Sequence, residues 1–180
     1  MSLPIGDVPL FLTGSAALLW FSRKPLRHPG SHGFYRFFGW EAILAVVVLN
    51  RNASGGQILS QSLLLVSLAL LLLGVLGLVQ RGRPGAQRGG QALFGWEQTT
   101  ALVTSGVFGL IRHPLYASLL ALDWGMFFRA TGGVSLCFAL IATYFMWRTT
   151  RADEEECLAY FGEPYRAYMK RTRRYIPWIL

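Results

Sequence analysis

The chain has 180 residues, of which 53% are hydrophobic and only 14% charged, and it carries a formal charge of +8. A soluble domain holds about 25% charged residues, so a mean hydropathy of +0.39, bunched into blocks, excludes one and indicates an integral membrane protein. The basic residues flank the apolar blocks, where membrane topology and anionic lipid place them, and this argues against nucleic acid as a partner.

Five apolar blocks follow in chain order, at about 3–21, 34–49, 57–80, 114–128 and 131–147. The start "MSLPIGDVPLFL" lacks the basic region of a secretory signal, so the first block is expected to stay as a spanning helix. A hydrocarbon core ~30 Å thick needs ~20 helical residues, which the third block, "QILSQSLLLVSLALLLLGVLGLVQ", supplies. The fourth opens on Pro114, a first-turn proline, and is only ~22 Å long. Only "RATGG" separates it from the fifth, which predicts a tight antiparallel hairpin.

Arg23, Lys24, Arg27, Arg36, Arg81, Arg83, Arg88, Arg112 and the basic tail fall in connections on one side; Arg51 and Arg129 fall on the other. The excess of positive charge faces the cytoplasm, so five spans are expected, with the N-terminus out and the C-terminus in. The fold expected is all-α: three N-terminal spans over 1–80, then a second half over 81–180 that contains a long glycine-rich connection (81–113), the hairpin and a polar tail. The embedded "ALFGWEQTTALV" is too apolar for a free loop and is expected on the membrane surface or folded over a site.

Two clusters carry chemistry. In the first, His113, Tyr116, Leu120 and Asp123 share one face of the fourth block. Asp123 beside Trp124, like Glu41 behind Trp40, is either an intramembrane functional group or an interfacial residue. His113 and Pro114 also mark a helix N-terminus, whose unpaired N–H groups attract a carboxylate or phosphate, and Arg112 reinforces that attraction. In the second, "RTTRADEEECLAYFGEPYRAYM", an acidic run sits in a basic tail, with Arg151 and Glu155 spaced to pair. Gly162 is placed to end that helix and Pro164 to start another. Lys170, Arg171, Arg173 and Arg174, followed by "YIPWIL", suit an anionic leaflet. His28 and His32 have Pro29 and Gly30 between them, and Cys137 and Cys157 have no metal or disulfide spacing, so no metal is expected.

Taken together, "LVTSGVFGLIRHPLYASLL" and, one hairpin later, "DEEECLAYFGEPYRAYMKRTRRYIP" resemble the isoprenylcysteine carboxyl methyltransferase family over about 102–178. These are integral membrane enzymes that use S-adenosyl-L-methionine, and prokaryotic members of unknown substrate are among them. The resemblance implies a cytoplasmic cofactor pocket built from the 81–113 connection, the hairpin and the tail. In it, Thr100, Ala101, Leu102 and Val103 line the cofactor through their backbone, and His113, Pro114, Leu115 and Tyr116 wrap it. The acidic pair that holds its amino group is Asp153 with Glu154 in one register, or Glu154 with Glu155 in the other. Phe108 stands where the family has tyrosine. The family's substrate-side arginine falls on Thr149 or Arg151 according to register, with Arg148 the other nearby cation.

Matched charges for a sulfonium nucleoside would then be His113 for the carboxylate and Glu154 or its neighbour for the ammonium. Tyr116, Trp96 and Phe108 offer aromatic faces. The expected activity is methyl transfer to a carboxylate on a lipophilic acceptor arriving through the bilayer. The alternatives are N-methylation of a phospholipid amine and a non-enzymatic membrane scaffold or transporter subunit.

Overall fold

The computed structural model describes residues 7–53, 55, 58–83 and 99–179. Six α-helices are present among them: α1 (Asp7–Ser22), α2 (His32–Asn50), α3 (Ile58–Arg81), α4 (Pro114–Phe127), α5 (Gly133–Phe161) and α6 (Glu163–Arg171). There are also two 3-10 turns, at Pro25–Arg27 and Gly106–Gly109. An isolated parallel bridge pairs Ile111 with Arg173. Two helices, α2 and α3, are long and apolar enough to cross a membrane.

Local rules set most boundaries. Ser31 caps α2, its hydroxyl accepting from the Phe34 N–H at 3.2 Å, so α2 starts two residues before the apolar block that announces it. Pro114 opens α4, which at 14 residues is the short helix expected. The fifth block does not stop at 147: α5 runs unbroken for 29 residues and carries the acidic run out of the apolar region. It ends where Gly162 adopts φ +64°, backbone that a side chain would strain, and α6 begins with Pro164 in its first turn.

The α4–α5 connection is short, as the hairpin requires, but the closest helix pairs are others. The most extensive packing is α2 against α5 and α3 against α4, because glycines sit at those seams. A Cβ on Gly39 of α2 would collide with Met146 of α5. One on Gly74 of α3 would come within 2.9 Å of Leu115, and one on Gly125 of α4 within 3.0 Å of Leu64. Behind the first seam lies a core of Ala42, Ile43, Tyr116, Ala142 and Met146. By contrast α3 keeps a long row of leucines exposed, Leu65, Leu68, Leu72, Leu73 and Leu76 among them, as a lipid-facing helix does.

Buried polar groups tie the helices together. Ser15 of α1 donates to Glu41 of α2 at 2.6 Å, Asn50 donates to Ser135 at 2.7 Å, and Ser60 donates to the Gly125 carbonyl at 2.7 Å. Arg51 pairs with Asp7 at the other end of the same helices. Asp123 is fully buried and neither carboxylate oxygen has a hydrogen bond among the described residues.

Candidate active site

Three separate stretches meet where α4 begins. The Arg112 N–H donates to the Arg173 carbonyl at 2.7 Å and the His113 N–H to that of Arg174 at 3.1 Å, which zips the segment before α4 to the tail after α6. Under this zipper lies Glu154 of α5, only 4% exposed. Arg112 reaches it at 3.0 Å and Arg174 at 2.7 Å, while the His113 Nε2 stands 3.4 Å away without a hydrogen bond of its own. Arg112 also donates to the Met169 and Thr172 carbonyls, which places a cation on the C-terminal end of α6, where the helix dipole favours one. Burial alone would raise the Glu154 pKa, but His113 and Arg174 outweigh it and hold the carboxyl down at about 2. Burial would likewise lower the pKa of His113, and the Asp153 and Glu154 carboxylates more than reverse that. Glu154 is thus an anion already enclosed by cations.

Beside this knot opens a cavity of about 280 Å³, near the lower bound of ~300 Å³ for small-molecule sites. Its polar wall carries Asp153, Glu156, His113 and Arg112, and its aromatic wall Tyr116, Phe108, Phe161, Tyr165 and Tyr168. The Asp153 carboxylate is 3.5 Å from the His113 Nδ1, and the His113 ring stacks on Tyr116 with centroids 5.5 Å apart. Phe108 packs against Gly77, and its carbonyl accepts from the Tyr168 hydroxyl at 2.6 Å.

Of the residues singled out from sequence, Leu102, Val103, Phe108, His113, Pro114, Leu115, Tyr116 and Asp153 line this cavity. Thr100 and Ala101 do not; their N–H groups are both spent on the Gly82 carbonyl. Glu154 stands behind the wall in the knot, and Glu155 is exposed on the other side of α5, so helix phase separates the three consecutive carboxylates. Arg148 and Arg151 do not line the cavity. Arg148 donates to the Tyr35 hydroxyl at 2.6 Å, and Arg151 lies over the Trp147 ring at 5.1 Å rather than pairing with Glu155. With Arg23 over Trp20 at 4.1 Å, these are cation–aromatic pairs of the kind found at a membrane interface. Asp123 lies on α4 away from the cavity wall. Trp96 and most of "ALFGWEQTTALV" fall outside the described residues.

The α2 contribution went unread in the sequence. His32, Arg36 and Trp40, each four residues from the next, put one face of α2 on the cavity. His32 is fastened to Glu156 twice, through its backbone N–H at 3.0 Å and its Nδ1 at 2.6 Å. The Arg36 guanidinium is buried and lies 4.9 Å from the centre of the Trp40 ring. The signal was present as His32 just after a serine cap, with Arg36 and Trp40 following at every fourth position into a block that reads as apolar. Among the described residues no three His, Cys, Asp or Glu side chains group as metal ligands.

Comparison with known proteins gives a partial match. The chain is 28% identical over 72 residues to methanethiol S-methyltransferase 1 of Bradyrhizobium diazoefficiens, covering 40% of this chain and 25% of that protein. It is 31% identical over 71 residues to methanethiol S-methyltransferase of Pseudomonas deceptionensis, covering 39% of this chain and 26% of that one. The chain therefore spans about a quarter of the length of these curated relatives. No protein-family model matches it, and neither does any solved structure.

Proposed function

We propose that the chain is an integral membrane methyltransferase that uses S-adenosyl-L-methionine, with five helices crossing the bilayer and the cavity at its cytoplasmic face. The observation that carries this reading is a cavity with charges of both signs and an aromatic wall at the start of α4. Such a set suits a ligand that is at once cation, ammonium, carboxylate and nucleoside. Asp153 faces the cavity and takes the ammonium; His113, its pKa raised by its carboxylate neighbours against the effect of burial, and the start of α4 take the carboxylate. Tyr116 and Phe108 offer their faces to the sulfonium or the adenine. Bound there, S-adenosyl-L-methionine supplies an activated methyl group.

The acceptor is an anion on a lipophilic molecule. An ionised nucleophile needs no general base, and charge neutralisation on methyl transfer is favoured where water is scarce. The family resemblance points to a carboxylate, while the names of the two curated relatives point to a thiol, a second reading that shares this charge logic only once the thiol has given up its proton to a base. Since Arg148 and Arg151 lie outside the cavity, orienting the anion falls to Arg36, the cation on the α2 wall. The apolar part of the acceptor would run past Trp40 and Leu119.

Titration calorimetry of the detergent-solubilised protein with S-adenosylhomocysteine tests the cofactor site, and absence of saturable binding in demonstrably folded protein ends the proposal. Transfer of labelled methyl to prenylcysteine analogues, thiols and lipid extracts then separates the acceptors. Base-labile label marks an ester, and stable label a thioether or an amine.

A further inference from the structure

A second pocket of about 200 Å³ opens between the Gly106–Gly109 turn and the tail, lined by Leu110, Lys170, Arg171, Arg173 and Trp178 among others. All three cations are exposed, and among the described residues no carboxylate lines the pocket and none of the three makes an ion pair. Three clustered positive charges with no carboxylate against them among the described residues suit an anion. Around it Leu110 is 54% exposed, Ile179 72% and Trp178 85%. Trp178 is also held at φ +64°, a conformation rare for a bulky residue. A free phosphate would satisfy the charge and leave this apolar rim in water, whereas a phospholipid satisfies both. Tryptophan beside basic residues is the usual composition of a headgroup-level anchor.

The position matters as much as the composition. Arg173 is the residue whose carbonyl receives the Arg112 N–H, and the next residue, Arg174, grips Glu154. We propose that Lys170, Arg171, Arg173 and Trp178 form a site for the headgroup of an anionic phospholipid, and that its occupation steadies the tail zipper along the main cavity. The site rests on membrane residence and not on the methyl-transfer reading; resistance of the protein to carbonate extraction from membranes tests residence separately.

The full-length protein, delipidated and reconstituted in nanodiscs of phosphatidylcholine with added phosphatidylglycerol, provides the test. Native mass spectrometry is expected to show phosphatidylglycerol retained by the wild type. Retention should weaken on the order of fivefold for each charge removed in Lys170→Gln, Arg171→Gln and Arg173→Gln, and also in Trp178→Ser, which changes no charge. Circular dichroism confirms that each variant is folded. Amide exchange across 111–113 and 172–174 should slow when phosphatidylglycerol replaces phosphatidylcholine in the wild type, and should not in the triple variant. Equal retention by the folded triple variant overturns the site. So does inorganic phosphate that competes as well as the lipid, or a short RNA that binds through the same three residues. Unchanged exchange in the wild type overturns the link to the zipper.

Discussion

Asp153 and Glu154 are neighbours on one helix, yet they serve two regions with opposite electrostatic designs. Around Glu154 the charges cancel within the protein: two guanidiniums and an imidazole surround one buried carboxylate. Along the cavity wall a carboxylate, Asp153 of α5, and a guanidinium, Arg36 of α2, come from different helices and both border the cavity. A closed cluster stabilises the fold and has little left to offer a ligand; an open one is available to bind. One step of ~100° around a helix separates the two roles.

The largest expected effect comes from opening the closed region. Removing one member of a buried ion cluster costs ~3–5 kcal/mol because its partners stay buried and uncompensated, so Glu154→Ala should lose about that much stability in denaturant melts. The pH dependence follows the same group. The Glu154 pKa falls from 4.5 to about 2 on folding, so its stabilisation is complete above pH 4.5 and is lost as the pH falls toward 2. A wild-type protein no more acid-labile over that range than Glu154→Gln would show that the knot is not what holds the tail.

These two regions were not equally legible in the sequence. Pro114, Gly162 and Pro164 gave helix ends, because capping and proline rules are local. The pairing of His113 with the acidic run was readable through family resemblance, and the structure brings the His113 ring within 3.5 Å of Asp153. Which carboxylate faces the cavity was not readable, since that depends on the phase of a 29-residue helix. Nor was the role of Arg174, whose contact with Glu154 spans two chain reversals. His32, Arg36 and Trp40 were missed for a different reason: block-wise hydropathy averages over a helix, and a polar stripe one residue wide disappears in the average.

Asp153→Asn sharpens the contrast from the open side. Asp153 meets the Glu154 knot through His113, 3.5 Å away, so thermal stability should fall less than in Glu154→Ala. A charge-assisted hydrogen bond contributes ~1.5–3 kcal/mol, so affinity for S-adenosylhomocysteine should fall about 10- to 150-fold by calorimetry. A variant that melts early but binds normally would exchange the roles assigned to the two carboxylates. Smaller again, Tyr168→Phe removes the buried hydrogen bond to the Phe108 carbonyl. It should cost ~1–3 kcal/mol, because that carbonyl is left unsatisfied, and slightly weaken cofactor binding by loosening the wall; an unchanged melting curve would place another donor on the Phe108 carbonyl.

Arg148 provides the smallest effect and the most direct check on what separates a cavity residue from a boundary one. It lies outside the cavity, against Tyr35 and Tyr144, and exposed contacts of this kind are usually worth less than ~0.5 kcal/mol. Arg148→Gln should therefore leave melting, cofactor affinity and methyl transfer close to wild type, whereas Arg36→Gln should bind S-adenosylhomocysteine normally and transfer poorly to anionic acceptors. Both arginines lie near aromatic rings and near the same end of the bundle, and only one faces the cavity. If Arg148→Gln were the variant that lost transfer, the acceptor would approach from the α2–α5 surface, and the cavity would hold the cofactor alone.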